Sequence, residues 1–328
     1  MWAVYFNESG GPGVLKEGEV HDPIPEDDEV LIKVAAVGID TDDLLRLSFI
    51  TYKLTTDTSP YLGFECSGEV IAIGSKVFTC KIGDKVCAYL QGGGGYAEVV
   101  AVRAALVMVV PFGIPLTHAA SLPQTACLTL WCLKHLRKIT SDQSILIHGG
   151  AGGVGSFVIQ YAKYMGCDVF ATEGNKEKLQ LCQELGAKVC INYKTEDFCK
   201  RVKAETKGKG VNIILDLVGR DYIEKNFDCL AIGGALIVIG YETGSNTIFD
   251  LQKLYQKKIS VLGAWTQRLS NEKIEQLLIE AQNDVWPLIS RGHITPIIGK
   301  AFKFSEAVNA HRAKEKYVFP GKILLVPG

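Results

Sequence analysis

The amino-acid sequence predicts an α/β protein built from a β-rich domain and a doubly wound parallel sheet. Three observations predict it. The chain has 328 residues, 47% of them hydrophobic and 22% charged, which is enough to bury two cores rather than one. Near Pro111 the pattern changes from short β-rich runs to alternating strand and helix. Finally, His148 to Gly155 reads HGGAGGVG, a glycine loop set between an apolar strand and a helix.

Before Pro111, strands are expected at Trp2 to Phe6, Val30 to Val37, Cys66 to Ile73, Lys85 to Leu90 and Tyr96 to Val102. Gly83-Asp84 and the Gly92 to Gly95 run punctuate them as turns, so an antiparallel barrel or sandwich is expected. After Pro111, Ser144 to His148 reads as a strand, 154–165 as a helix, Asp168 to Thr172 as the next strand and Lys176 to Leu185 as an amphipathic helix. Val189 to Ile191, Val211 to Leu215, Ala235 to Ile239 and Ile259 to Leu262 complete six strands, the number of a doubly wound sheet. The tail returns to β segments at Ala301 to Phe304 and Lys322 to Val326 around a helix at Ser305 to Ala313, and is expected to fold back onto the first domain. The β-rich domain is therefore assigned to 1–120 and 291–328, and the dinucleotide-binding domain to 121–290.

Charge and composition exclude several function classes. Lys plus Arg total 35 against 36 Asp plus Glu, a net charge of -1 that offers no basic field to nucleic acid or anionic lipid. The N-terminal MWAVYFNESGG has no basic leader or signal-length apolar core, and no run downstream is long and apolar enough to span a membrane. Ten cysteines are scattered singly with no CxxC pair, the usage of small buried hydrophobes in a reducing compartment. A cytoplasmic location is expected, with neither nucleic acid nor membrane as partner.

The glycine loop carries the first functional reading. Gly150, Gly152 and Gly155 satisfy G-x-G-x-x-G. The first glycine permits the tight turn, the second lets backbone approach a pyrophosphate and the third lets helix pack on strand, while Gly153, Val154 and Gly155 open the helix with free N–H groups. Glu173 ends the second strand about 20 residues on, where a dinucleotide fingerprint places an acidic residue. A carboxylate there accepts hydrogen bonds from a ribose diol, and repels a 2′-phosphate by up to about 4 kcal/mol at about 4 Å in an effective dielectric of about 20. Lys176 and Lys178 pull the other way, so the residues leave NADH and NADPH both open.

The whole chain resembles the zinc-free quinone oxidoreductases, the zeta-crystallin-like group of the medium-chain dehydrogenase/reductase superfamily. The segments that carry the resemblance are Gly10-Gly11-Pro12, DDEVLIKVAAVGI, YLGFECSGEVIAIGSKV, KIGDKVCAYLQGGGGYAEVV, ILIHGGAGGVG, INYKTEDF, GVNIILDLVG and the GKILLV near the end. The resemblance implies a GroES-like domain plus a Rossmann domain, an active site in the cleft between them, and a homodimer or homotetramer. Zinc-dependent relatives carry a GHE motif whose histidine binds the metal. Here the same place reads Gly63-Phe64-Glu65, and the cysteines of a structural zinc lobe are missing, so no metal is expected.

The resemblance also assigns residues. NADPH-using relatives show T-A-G-S-x-x-K after the second strand and a tyrosine in INYK. Lys178 and Tyr193 match, Glu173 and Asn175 depart, and the cofactor is expected to be NADPH, with NADH allowed by Glu173. Val218 and Gly240, at strand carboxyl ends, are expected to face the nicotinamide, and Thr129 to touch it from the linking helix. Where relatives have an Asn-Arg-Ala-Asp segment lining the site, this chain has Asp40-Thr41-Asp42-Asp43; Asp40 and Tyr52 are the catalytic candidates, Tyr52 as proton donor or stacking surface. The implied function is hydride transfer from NAD(P)H to a quinone or similar conjugated carbonyl without zinc. Two alternatives stand beside it: an enone, alkene or carbonyl reductase of specialised metabolism, and a non-catalytic NADPH-binding structural protein.

Overall fold

Turn residues cut the first part of the chain into short strands. The structure, a computed structural model, describes residues 1–48 and 59–328. Seven strands precede the change of rhythm: β1 (Trp2–Tyr5), β2 (Lys16–Glu19), β3 (Glu29–Ile39), β4 (Glu65–Ile73), β5 (Lys85–Tyr89), β6 (Val99–Arg103) and β7 (Val107–Val109). In β3, burial alternates through Val30, Ile32 and Val34, then becomes continuous from Ala36 to Ile39. The strand thus runs from a half-exposed face into the core, and Asp40 is the next residue.

The alternating part forms six strands, β8 (Ser144–His148), β9 (Asp168–Glu173), β10 (Val189–Asn192), β11 (Val211–Asp216), β12 (Leu230–Val238) and β13 (Ser260–Gly263). All are parallel, in the order β10-β9-β8-β11-β12-β13. β8 is buried from Ile145 to His148, as a strand covered on both faces must be. Its neighbours run to opposite sides of the sheet, so β8 and β11 flank the point where strand order reverses, the place where open sheets bind ligands. Leu146, Phe170, Val202, Ile214, Phe227 and Leu236 pack in one core cluster on this sheet. β12 begins at Leu230 rather than Ala235, because the pattern around Gly233 and Gly234 hides its first half from periodicity.

The chain then returns with β14 (Ile298–Lys303) and β15 (Lys322–Val326), joined by a helix at Ala307–Glu315 that follows a single 3-10 turn. β15 pairs parallel with β14 and antiparallel with β3, giving the order β14-β15-β3-β4-β5-β7 with β6 also on β3. The chain divides into two units, Met1–Cys127 with Thr266–Gly328, and Leu128–Trp265. The return falls at Thr266, ahead of the 291 expected. The helix Asn271–Glu280 reads like one more crossover helix, but its surroundings belong to the first unit. There Tyr89 Oη donates to Thr266 Oγ1 (3.0 Å), Gln91 Nε2 to Leu269 O (2.7 Å) and Trp286 Nε1 to Val109 O (2.7 Å), while Arg103 pairs with Glu275 (2.9 Å).

Candidate active site

The glycine loop leaves β8 at His148 and enters the helix Gly153–Tyr164. At Gly155 a Cβ would lie 2.3 Å from Gly149 O and 2.8 Å from Gly150 Cα, so the helix meets the strand only because nothing larger stands there. The N–H groups of Gly153, Val154 and Gly155 open the helix and carry its positive end, the arrangement that receives a phosphate. Glu173 does not project toward solvent at the end of β9. Its side chain is buried; Oε1 accepts from Ala151 N–H at 2.7 Å and Oε2 from Gly174 N–H at 3.3 Å. The carboxylate expected at a ribose thus also braces the glycine loop through Ala151.

Beside it, Asn175 caps the helix Lys176–Leu185, its Oδ1 accepting from Lys178 N–H at 2.9 Å. Lys178 is buried along its stem; burial pulls its pKa down, Glu173 opposes that, and Lys194 adds to it. Above Gly174 an added Cβ would meet Tyr193 Oη at 2.6 Å and Lys194 Cε at 3.0 Å. Gly174, Tyr193 and Lys194 thus stand together, with Lys178 close enough to feel the Lys194 charge. Lys194 was not singled out from the sequence; the signal was the cation directly after Tyr193 in INYK.

A buried chain of polar groups links the glycine loop's strand to the turn after β11. His148 Nδ1 lies 3.0 Å from Thr172 Oγ1, and His148 Nε2 lies 2.8 Å from Asn226 Oδ1. Asn226 Nδ2 donates to Asp216 Oδ2 at 3.2 Å, and Asp216 Oδ1 accepts from Val218 N–H at 2.8 Å. The direction of the amide fixes the imidazole as the neutral tautomer protonated on Nε2, with Thr172 donating to Nδ1. Burial lowers the His148 pKa to about 4 and raises that of Asp216 to about 6. Val218 is half-buried and held further by Thr243, whose Oγ1 donates to Val218 O at 2.9 Å. Gly240 follows β12, where a Cβ would stand 3.1 Å from Leu217 O. Thr129 is buried in the helix Pro123–Leu130.

In the first unit, Asp40 is placed by backbone: its N–H donates to Asp43 Oδ2 (2.8 Å), and Asp43 Oδ1 accepts from Gly63 N–H (2.7 Å). Asp43 is fully buried, and burial pushes its carboxyl up to about 8. Asp40 itself meets a partner far along the chain. Lys322 Nζ, only 3% exposed, contacts Asp40 Oδ1 at 2.5 Å and Glu65 Oε1 at 2.7 Å. Glu65 Oε2 accepts from Gln124 N–H at 2.9 Å, and Gln124 Nε2 donates to Asp42 Oδ2 at 2.9 Å. Burial lifts the Glu65 carboxyl to about 7 against the pull of Lys322; burial also works to lower the Lys322 pKa, but the two carboxylates outweigh it and hold that pKa above its usual value. Neither Glu65 nor Lys322 was singled out as a site residue. Tyr52, the other catalytic candidate, lies outside the described residues.

The fold has known counterparts. Residues 26–112 match the alcohol dehydrogenase GroES-like domain and residues 153–283 the zinc-binding dehydrogenase family. Quinone oxidoreductase 1 of Escherichia coli strain K12 is 31% identical over 332 residues, covering 99% of each chain. The chain belongs to the quinone oxidoreductase family of the medium-chain dehydrogenase/reductases. It is an oxidoreductase. The crystal structure of the Escherichia coli quinone oxidoreductase complexed with NADPH superposes with a TM-score of 0.91 at 31% identity, covering 100% of both chains. A 2-haloacrylate reductase from a Burkholderia species is 27% identical, covering 100% of this chain and 99% of its own.

As in that family, the β-rich unit is GroES-like and the parallel sheet is a Rossmann domain. Where zinc-dependent members carry the histidine of GHE, Phe64 is fully buried, with the Arg46 guanidinium 5.9 Å from its ring centroid. Among the described residues no three His, Cys, Asp or Glu side chains converge as a metal site would require. No helix among them is long and apolar enough to cross a membrane.

Proposed function

We propose that the protein is an NADPH-dependent, zinc-independent reductase that delivers hydride to a quinone or similar conjugated carbonyl compound. The observation that carries the cofactor is the cradle over Gly174. Tyr193 offers a hydroxyl, and Lys178 and Lys194 offer positive charge. The carboxylate of Glu173 is occupied by Ala151 and Gly174 rather than facing the ribose. Each lysine within about 4 Å of a phosphate contributes up to about 4 kcal/mol at an effective dielectric of about 20, which outweighs one carboxylate already satisfied by backbone. The pyrophosphate is received by the N–H groups of Gly153, Val154 and Gly155, with Gly150 and Gly152 letting the loop approach it. Asn175 holds the helix start beneath the ribose, and Val218, Gly240 and Thr129 border the nicotinamide.

Bound there, the nicotinamide supplies hydride from its C4. A quinone or enone takes that hydride together with one proton from water, so the protein needs to position and dry the reactants rather than polarise a carbonyl with metal. The buried Phe64, an apolar ring without donor atoms, supports the zinc-independent reading. A second copy as partner is supported by the edge of the six-stranded sheet: among the described residues β13 pairs only with β12, and Val261, Ile248, Leu251 and Tyr255 are exposed in that part of the chain. The ten free cysteines suit a cytoplasmic location.

A second reading, reduction of an activated C=C bond, draws on the 2-haloacrylate reductase relative and on Asp40 in place of asparagine. Fluorescence titration with NADPH and NADH, then oxidation of each by quinones and enones followed by absorbance, tests all of this. The expected result is tighter binding of NADPH and turnover with quinones. Turnover with enones alone selects the second reading, and binding without turnover of any acceptor selects a structural NADPH-binding role.

A further inference from the structure

Two cysteines meet where two helices of the Rossmann domain pack. Cys199 is the second residue of the helix Phe198–Glu205, and Cys229 is the last of the helix Ile223–Cys229. Several contacts fix these helices against each other. The Phe198 and Tyr222 rings lie with centroids 4.8 Å apart, and Asp197 Oδ2 takes Lys225 Nζ at 3.0 Å. Lys257 Nζ donates to Phe227 O and Asp228 O at 2.8 Å and to Leu230 O at 2.9 Å, so the backbone on both sides of Cys229 is held. The clamp sets the two thiols in hydrogen-bond contact inside one core cluster.

The pair is asymmetric. Cys229 is fully buried, whereas Cys199 is 7% exposed and stands at the positive end of its helix, with Lys203 one turn on. The hydrogen bond from Cys229 brings the Cys199 thiol down to about 7, against burial and with the help of Lys203. The same bond, with burial, pushes Cys229 up, so Cys229 keeps its proton. Cys66, Cys87 and Cys127 also neighbour one another, but complete burial pushes all three thiols up and leaves no thiolate there. Nor do the surroundings need the Cys229 S–H. Its other acceptor, Asn226 O at 3.7 Å, already takes the Leu230 N–H.

We propose that Cys199 and Cys229 are a reversible redox pair, in which a hydroperoxide oxidises Cys199 and Cys229 resolves the product as a disulfide. In the first step the Cys199 thiolate attacks one peroxide oxygen. The S–O bond forms, the O–O bond breaks, and the departing oxygen takes the proton Cys199 gave up; with hydrogen peroxide it leaves as water. In the second step the Cys229 sulfur attacks the sulfenic sulfur. The S–S bond forms, the S–O bond breaks, and the hydroxyl leaves as water with the Cys229 proton. Two thiols have lost two electrons, and hydrogen peroxide has become two waters. Trapping the sulfenic acid this way stops oxidation at a state that cellular thiols reverse, ahead of the sulfinic acid. The cross-link also ties the helix that carries Asn226, the partner of His148 and Asp216, to its neighbour.

The test treats the reduced full-length protein with hydrogen peroxide at neutral pH, blocks free thiols with N-ethylmaleimide and maps the peptides without reductant by mass spectrometry. A Cys199–Cys229 peptide is expected, with matching loss of blocked Cys199 and Cys229, and dithiothreitol should restore both. In Cys229→Ser, dimedone is expected to label a sulfenic acid at Cys199; in Cys199→Ser, Cys229 should stay reduced. Full blocking of both residues in the treated native protein, or a linkage that forms only in urea, overturns the proposal. So does a dimedone label on Cys229 in Cys199→Ser, which would make the buried thiol the attacking one. Because the native protein gives the first readout, the result stands even if a variant fails to fold.

Discussion

Glu173 accepts a hydrogen bond from the backbone N–H of Ala151 at 2.7 Å, tying the end of the second Rossmann strand to the glycine loop above it. The acidic residue that marks a dinucleotide fold in sequence is here a brace for the glycine turn. Glu173→Ala is expected to weaken NADPH and NADH alike, by about 10-fold or more for a charged hydrogen bond lost, without reversing the preference between them. Glu173→Gln keeps an acceptor for Ala151 and is expected to retain most of the affinity. Fluorescence titration of both cofactors reads the result, and a selective gain of NADPH in Glu173→Ala would mean the carboxylate faces the ribose after all.

Lys194 is expected to discriminate the cofactors. Replacing it with alanine removes one charge beside Tyr193 and should weaken NADPH by about 10-fold while leaving NADH nearly unchanged. The difference should shrink at high salt, since the side chain reaches solvent. Equal loss for both cofactors would count against a phosphate at this position.

Acidification should act through His148. Its folded pKa, about 4, is depressed by burial below the unfolded value of about 6.5, so only the unfolded chain takes up a proton between those values. The stabilisation present above about pH 6.5 is therefore lost as pH falls toward 4, by at most about 3 kcal/mol. Urea unfolding at neutral and acid pH should show a smaller difference in His148→Gln than in the native protein. An unchanged difference would assign the acid loss to other groups.

Lys322→Met should strand Asp40 and Glu65 as buried carboxylates with no cation, and a loss of about 3–5 kcal/mol is expected from urea unfolding. Combining it with Glu65→Gln removes one of the two charges and should recover part of that loss. A neutral Lys322→Met would show that the ammonium contributes little net stability.

What sequence could show follows range. Strand and helix alternation, the Gly150-Gly152-Gly155 spacing and the turn at Gly83 are local patterns, and the corresponding elements stand where they were expected, within a residue or two at most ends. The partner of Asp40 lies 282 residues away, and no periodicity links positions so distant. The direction of the Glu173 side chain was equally hidden, because a carboxylate at a strand end reads the same whether it faces a ribose or its own loop. Residues 266–290 follow the Rossmann stretch without a break in pattern, and what ties them to the first unit is contacts distant in sequence, such as Tyr89 to Thr266 and Arg103 to Glu275.

The pairing of β15 with β3 has a consequence for synthesis. Met1–Cys127 is made first, but the strand that completes its sheet is translated after the entire Leu128–Trp265 stretch. The Rossmann unit, being continuous in sequence, is free to fold on the ribosome while Asp40 and Glu65 still await their countercharge. Nascent chains arrested before Lys322 should then resist protease over the later-synthesised Rossmann stretch and be cut in the earlier one, an order of maturation opposite to the order of translation.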